Sequence, residues 1–247
     1  MIDILRSEWT KLRSVRSTVW TLVVTAAMMV GFGALLAASI RGSGRGPVDA
    51  AQALGVSLLG VMFAALSIAT LGVLVISSEY RTGGIRTSLM AVPRRLSLLT
   101  AKIAVFSATA LVVCTLSAAG ALAVGLAIMQ PAGVSAGEVA WAAVRAGLYL
   151  TACGLFGVGL GTLVRHTPGA IVSAIALMMV LPLVARQLPG QWGRTVAEYF
   201  TTNAGQLIVP GGDPGSSLAP WAGFGVYLVW IAVAVAAGAV LMQRRDA

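Results

Sequence analysis

The chain has 247 residues, 58% of them hydrophobic and only 10% charged, with a formal net charge of +9 and a mean hydropathy of +0.91. Soluble domains carry about 25% charged residues, so this composition excludes an ordinary water-soluble globular protein. The positive charge does not point to nucleic acid either: the basic residues sit at the ends of long apolar runs, as membrane topology places them.

Residues 2–19 predict an amphipathic interfacial helix. Ile2, Leu5, Trp9, Leu12, Val15 and Val19 recur at spacings of three and four, while Arg6, Lys11, Arg13 and Arg16 lie on the other faces. A cleaved signal peptide would put its charges first, then an apolar core and a small-residue cut site. Here a polar-rich stretch precedes a run long enough to span. A helix on the inner leaflet, with Trp9 in the headgroup boundary, fits better than a charged flank that only fixes orientation.

Six apolar runs follow, at about 20–40, 51–78, 103–129, 145–164, 168–185 and 220–242. A bilayer core needs about 20 residues of helix. The expected fold is therefore an all-α integral membrane protein, one transmembrane domain of six transmembrane helices. In the fourth run Gly147, Gly154, Gly157 and Gly161 lie near one face, where small residues allow close backbone approach. Arg165 and His166 end that run, Pro168 opens the fifth and Pro182 should kink or terminate it. Cys114 and Cys153 each lie inside an apolar run and read as small packing residues. The loop after the third run is expected to cover Gln130 to Val144, and residues 186–219 form the longest region outside a span.

Six spans place both termini on one side. With the N-terminus inside, twelve of the seventeen Lys and Arg residues are cytoplasmic and five are outside. The bias predicts an N-in/C-in topology.

The central segment, 79–102, reads EYRTGGIRTSLMAVPRRLSLLTAK and carries Arg81, Arg86, Arg94, Arg95 and Lys102. Gly83 and Gly84 break the second span and free the chain to turn parallel to the membrane. Ile85, Leu89 and Met90 could then form an apolar patch edged by Arg86, Arg94 and Arg95. Such a patch is a docking surface for a cytoplasmic partner.

Intramembrane hydrolysis would need a nucleophile with a base, or clustered metal ligands. The one histidine, His166, is at a span end, and no acid lies within any apolar run. Ion-coupled carriers keep an ionisable residue in mid-membrane, and the six runs have none. No G-x-x-x-x-G-K-[ST] phosphate loop occurs. The chain is thus not expected to be an enzyme, and any uphill movement would draw its energy from a partner.

With these residues in view, the chain resembles membrane subunits (permeases) of ABC transporters of the type-2 exporter class. The resemblance covers essentially the whole chain: the helix Ser7-Glu8-Trp9-Thr10-Lys11-Leu12-Arg13-Ser14, six spans, Glu79-Tyr80-Arg81-Thr82-Gly83-Gly84-Ile85-Arg86 after span two, Pro93-Arg94-Arg95 before span three, Lys102, and the terminal Arg244-Arg245-Asp246. It implies a coupling helix after span two that fits a cleft on an ATPase subunit, with Glu79, Tyr80, Arg81, Thr82, Gly83, Gly84, Ile85, Arg86 and Leu89 as coupling residues. Gly84 stands where Thr is usual, which leaves Thr82 or Thr87 to supply the capping hydroxyl. Trp9, Lys11 and Arg13 belong to an interfacial helix that also touches the ATPase, and residues 186–219 correspond to short re-entrant outer helices. The resemblance further implies efflux across a bacterial cell membrane, two ATPase copies carrying ATP and Mg, a second permease as homodimer or heterodimer, contact with membrane lipid, no nucleic acid, and no cofactor or metal in this chain. The alternative from another class is a non-transporting scaffold whose basic segments bind anionic lipid or a cytoplasmic regulator.

Overall fold

The computed structural model describes residues 2–43, 48–82, 95–212 and 215–244; of residues 2, 3, 81, 82 and 95 it describes the backbone alone. The described residues form helices and no strand, and six helical stretches are long and apolar enough to cross a membrane: Arg16–Gly42, Ala50–Tyr80, Leu96–Met129, Ala136–Val164, Thr167–Ala185 and Pro220–Arg244. These are spans one to six of an all-α integral membrane protein.

Three helix ends differ from the sequence reading, each for a local reason. The first helix runs Ile2–Ser14 rather than to residue 19. Val15 is extended (φ −82, ψ 110), so the chain turns there and span one begins at Arg16. Span three belongs to a helix that starts at Arg95, eight residues before Ile103, because Leu98 and Leu99 are buried and prolong the apolar face. Span four starts at Ala136, inside the expected loop. There the Ser135 hydroxyl accepts from the Glu138 N–H (3.2 Å) while the Glu138 carboxylate accepts from the Ser135 N–H (2.9 Å). This reciprocal box satisfies two orphan donors and nucleates the helix. Lys102 consequently lies on a span helix rather than before it, and Arg145, expected at the start of the fourth run, lies within the helix.

Span two is bent. Helix Ala50–Ser57, capped by Asp49, passes through a turn at 58–60 into Val61–Thr82. At that turn Gly60 rests against the Met29 backbone of span one, where a Cβ would come within 2.5 Å of the Met29 carbonyl.

Span four is the core around which the others pack: 78% of its apolar window is buried, against 22% for span one. It contacts spans two, three and six. Its glycines are the contact points. A Cβ on Gly157 would overlap the Ala69 carbonyl of span two, and one on Gly147 would overlap the Thr115 hydroxyl of span three. Between membrane helices van der Waals packing is the main attraction, and it requires this close approach. Around the glycines Ile68, Phe106, Tyr149, Phe156 and Tyr227 fill the interior, each at most 2% exposed.

Candidate functional site

Four charged side chains meet at one end of the bundle. Glu8 comes from the first helix, Lys11 lies one turn further on, Glu79 sits at the end of span two and Lys102 near the start of span three. Lys102 Nζ donates to Glu8 Oε2 at 2.5 Å and to Glu79 Oε1 at 2.9 Å. Lys11 Nζ donates to Glu8 Oε1 at 2.7 Å and to Glu79 Oε1 at 3.1 Å. Each lysine thus bridges both acids, and the four side chains form a ring of two cations and two carboxylates. It grades from inside to outside: the side chains of Glu8 and Lys102 are 3% and 5% exposed, while that of Lys11 is 41% exposed.

A buried charge is tolerated only when it is paired and hydrogen-bonded, and each buried member here has two such partners. Burial alone would push the Glu8 carboxyl upward, but the Lys102 ammonium, helped by Lys11, outweighs it and holds the group below its usual 4.5. Burial would likewise lower Lys11, yet its bond to Glu8 and the charge of Glu79 hold it above its usual 10.5. Both shifts favour the charged forms.

The other flank of span two is gripped as well. The Arg165 guanidinium lies 5.1 Å from the Tyr80 ring centroid, and Arg165 Nη2 donates to the Leu241 carbonyl in the last turns of span six (3.0 Å). Arg165 has a left-handed backbone (φ 58) that closes span four through its N–H to the Gly161 carbonyl. Thr167 Oγ1 donates to Ser77 Oγ at 3.0 Å. His166 caps span five, its Nδ1 accepting from the Gly169 N–H at 3.3 Å. The last turn of span two is therefore tied to the first helix and span three through Glu79, and to spans four, five and six through Ser77 and Tyr80.

Among the residues expected to couple, Glu79, Tyr80 and Lys11 come together here. Trp9 is half exposed and Arg13 exposed, both outside the ring. Arg81 and Thr82 continue the backbone of span two. Gly83, Gly84, Ile85, Arg86 and Leu89 lie outside the described residues, as does the rest of the expected coupling helix. Sequence reasoning missed two members as site residues: Lys102, read only as part of the basic segment 79–102, and Glu8. For Glu8 the pattern did hold a clue. Its signal was an acid on the apolar stripe of a basic helix, three residues after Leu5 and four before Leu12. Among the described residues no cluster of His, Cys, Asp and Glu could hold a metal ion.

A second polar arrangement lies at the far end of span five. Residues Ala176–Val180 form a π turn and Pro182 follows. Proline has no N–H for the carbonyl four residues back, Met178. Thr202 Oγ1 donates to that carbonyl instead (2.7 Å), and Thr201 Oγ1 to that of Leu177 (2.7 Å). Both threonines belong to the stretch between spans five and six, which folds into short helices Gly190–Tyr199 and Thr201–Gly205 against those spans.

Comparison with protein families matches residues 4–185 to the ABC-2 family transporter protein model. A search of curated proteins finds no match.

Proposed function

The chain belongs to the ABC-2 transporter family and is a membrane permease subunit of an ABC transporter; from that premise we propose that it works as an exporter half whose stroke enters through the end of span two. The observation that carries this reading is the four-charge ring. It joins the first helix to the two helix ends, Thr82 and Arg95, that flank residues 83–94. A force applied to those residues by an ATPase would reach span two, span three and the first helix as one unit. Tyr80 and Arg165 would pass it to spans four and six.

The rest of the assembly follows from the same reading. Two ATPase copies, carrying ATP and Mg, dock on residues 79–102. A second permease, as homodimer or heterodimer, completes the translocation path. The chain lies in a bacterial cell membrane with both termini in the cytoplasm, the charge ring on the inner side and residues 186–219 as re-entrant outer helices. The ring also bears on the scaffold alternative. Lys11 and Lys102 are engaged by carboxylates rather than displayed to anionic headgroups.

The test is purification of the tagged chain from its native membrane in mild detergent, with mass spectrometry of stoichiometric partners. A co-purifying subunit with a phosphate-binding loop, reduced when Glu79 is changed to Lys, is the expected result. Recovery of the chain alone, with no nucleotide hydrolysis in the native complex, would sink the proposal.

A further inference from the structure

The inner charge ring makes no use of the opposite half of span five, where a cavity of about 130 Å³ opens between spans two, four and five and the outer segment. Its wall is apolar and soft, built from Met62, Leu66, Met178, Met179 and Leu183. Its rim is polar, and Arg186 is the cation there. Arg186 is aimed by a short chain of hydrogen bonds. Asn203 Nδ2 donates to the carbonyls of Pro182 (3.2 Å) and Ala197 (3.1 Å), which turns Asn203 Oδ1 toward Arg186 Nε (3.1 Å). Among the described residues no carboxylate pairs with this guanidinium. Its remaining donors stay available at the cavity mouth.

A second hollow of about 250 Å³ lies beside the first, lined by Met179, Val180, Leu183, Val184 and Gln187. The two adjoin at Met179 and Leu183, between the polar rim and the exposed apolar face of span five. The π turn Ala176–Val180 is part of the shared wall, and such turns recur at functional sites.

The chemistry of a fitting ligand follows from these dimensions. A cavity near 150 Å³ holds about one benzene-sized group, whereas a drug-sized ligand needs roughly 300 Å³ or more. An occupant larger than that must be elongated and use both hollows. A guanidinium with unoccupied donors selects a carboxylate or phosphate, which it can grip with two hydrogen bonds. Methionine walls adapt to flexible alkyl chains. We infer that these two adjoining hollows together bind an anionic amphiphile, its carboxylate or phosphate head held by Arg186 and its alkyl chain passing between the flexible side chains of Met179 and Leu183 toward the bilayer. This inference concerns binding by the chain itself and does not rest on the exporter reading.

The test measures saturable binding of radiolabelled dodecyl phosphate to the full chain in phosphatidylcholine nanodiscs, with dodecanol as the uncharged control. Loss of a charge-assisted hydrogen bond predicts a roughly ten-fold or greater weakening in Arg186→Gln, a smaller one in Arg186→Lys, and no change for dodecanol. Met179→Trp blocks the shared wall while leaving Arg186 in place, and should weaken dodecyl phosphate to a similar extent. Melting curves of each variant report whether the fold is retained. Equal affinity of Arg186→Gln and the unaltered chain for dodecyl phosphate would overturn the inference, as would an equal loss for dodecanol. Adding phosphatidylglycerol to the nanodiscs separates the sources. Competition marks a bilayer lipid as the natural occupant and undiminished binding marks a distinct amphiphile, and either supports the site.

Discussion

The two ends of this bundle are held by opposite chemistry. The end containing Glu8, Lys11, Glu79 and Lys102 is closed by full charges, two of them nearly inaccessible. The end containing Thr201, Thr202 and Asn203 is closed by neutral groups that hydrogen-bond to carbonyls of span five. Buried charges are strong when every partner is present and costly when one is missing, so the first end depends on its two buried members, Glu8 and Lys102. Hydroxyl-to-carbonyl bonds are weaker and more nearly independent. A joint that must pass on a displacement needs the first kind, and a segment that only has to stay seated can use the second.

Removing the central cation should therefore have the largest effect. Lys102→Met leaves Glu8 buried with Lys11 alone, and breaking a buried pair costs about 3–5 kcal/mol. Thermal unfolding in detergent should register that loss. Lys102→Met combined with Glu8→Leu should recover most of it, since replacing both partners by apolar groups is often neutral. If Lys102→Met proves no worse than the same change at Lys11, burial of the charges does not set their worth and the contrast between the two ends falls.

At the opposite end, Thr202→Val strips the donor from the Met178 carbonyl, with an expected cost of about 1–3 kcal/mol. The comparison sharpens in a Pro182→Ala background. The restored N–H at position 182 can reach that carbonyl itself, so the cost of Thr202→Val should shrink there. An undiminished cost would mean that Thr202 acts through packing rather than by satisfying the carbonyl that proline frees.

Between the ends, neither charge nor hydroxyl decides the packing. Gly157→Ala places a methyl group on the Ala69 carbonyl, and overpacking of that kind costs about 1–3 kcal/mol. Gly31 on span one has nothing within 4 Å, so Gly31→Ala should be neutral or stabilise by roughly 0.5–1 kcal/mol. Equal effects of the two changes would show that the small-residue face of span four is not what holds the spans together.

How much of this was legible in advance depends on how far apart the interacting residues lie. Apolar run length predicts six spans because each span must satisfy its own backbone, a requirement local to the run. The glycine face of span four could be read from helical spacing, although its partner Ala69 could not. Span four's start was obscured because Pro131, Gly133 and Gly137 look like a loop, while the Ser135–Glu138 box that begins the helix lies among them. Pro182 announces a freed carbonyl at Met178, but the donor is 24 residues away. Glu8 and Lys102 are 94 residues apart, and nothing in local pattern pairs them. In the first helix the eye goes to Trp9, which proves half exposed. The acid beside it is the buried residue.

The smallest expected effect concerns the outer edge of the ring and its response to pH. Lys11 is well exposed, so Lys11→Met should cost no more than about 1 kcal/mol and become less costly in high salt. The titration follows from the direction of each shift. Glu8, held below 4.5, stabilises the fold at neutral pH, and its contribution disappears as pH falls through that lowered value. Lys11, held above 10.5, contributes below that pH and loses its contribution as pH rises through its raised value. The stability that Glu8 and Lys11 contribute should therefore be flat from above 4.5 to 10.5 and fall away outside it. Hydrogen exchange on residues 2–14 and 190–205 can compare the two ends directly. Acid below the lowered Glu8 value should release protection in the first stretch, because Glu8 anchors that helix through Lys102. It should leave the second stretch protected, because the hydroxyls of Thr201 and Thr202 do not titrate there. Simultaneous loss in both would mean that the ends open together, and the charged end would then have no separate joint to move.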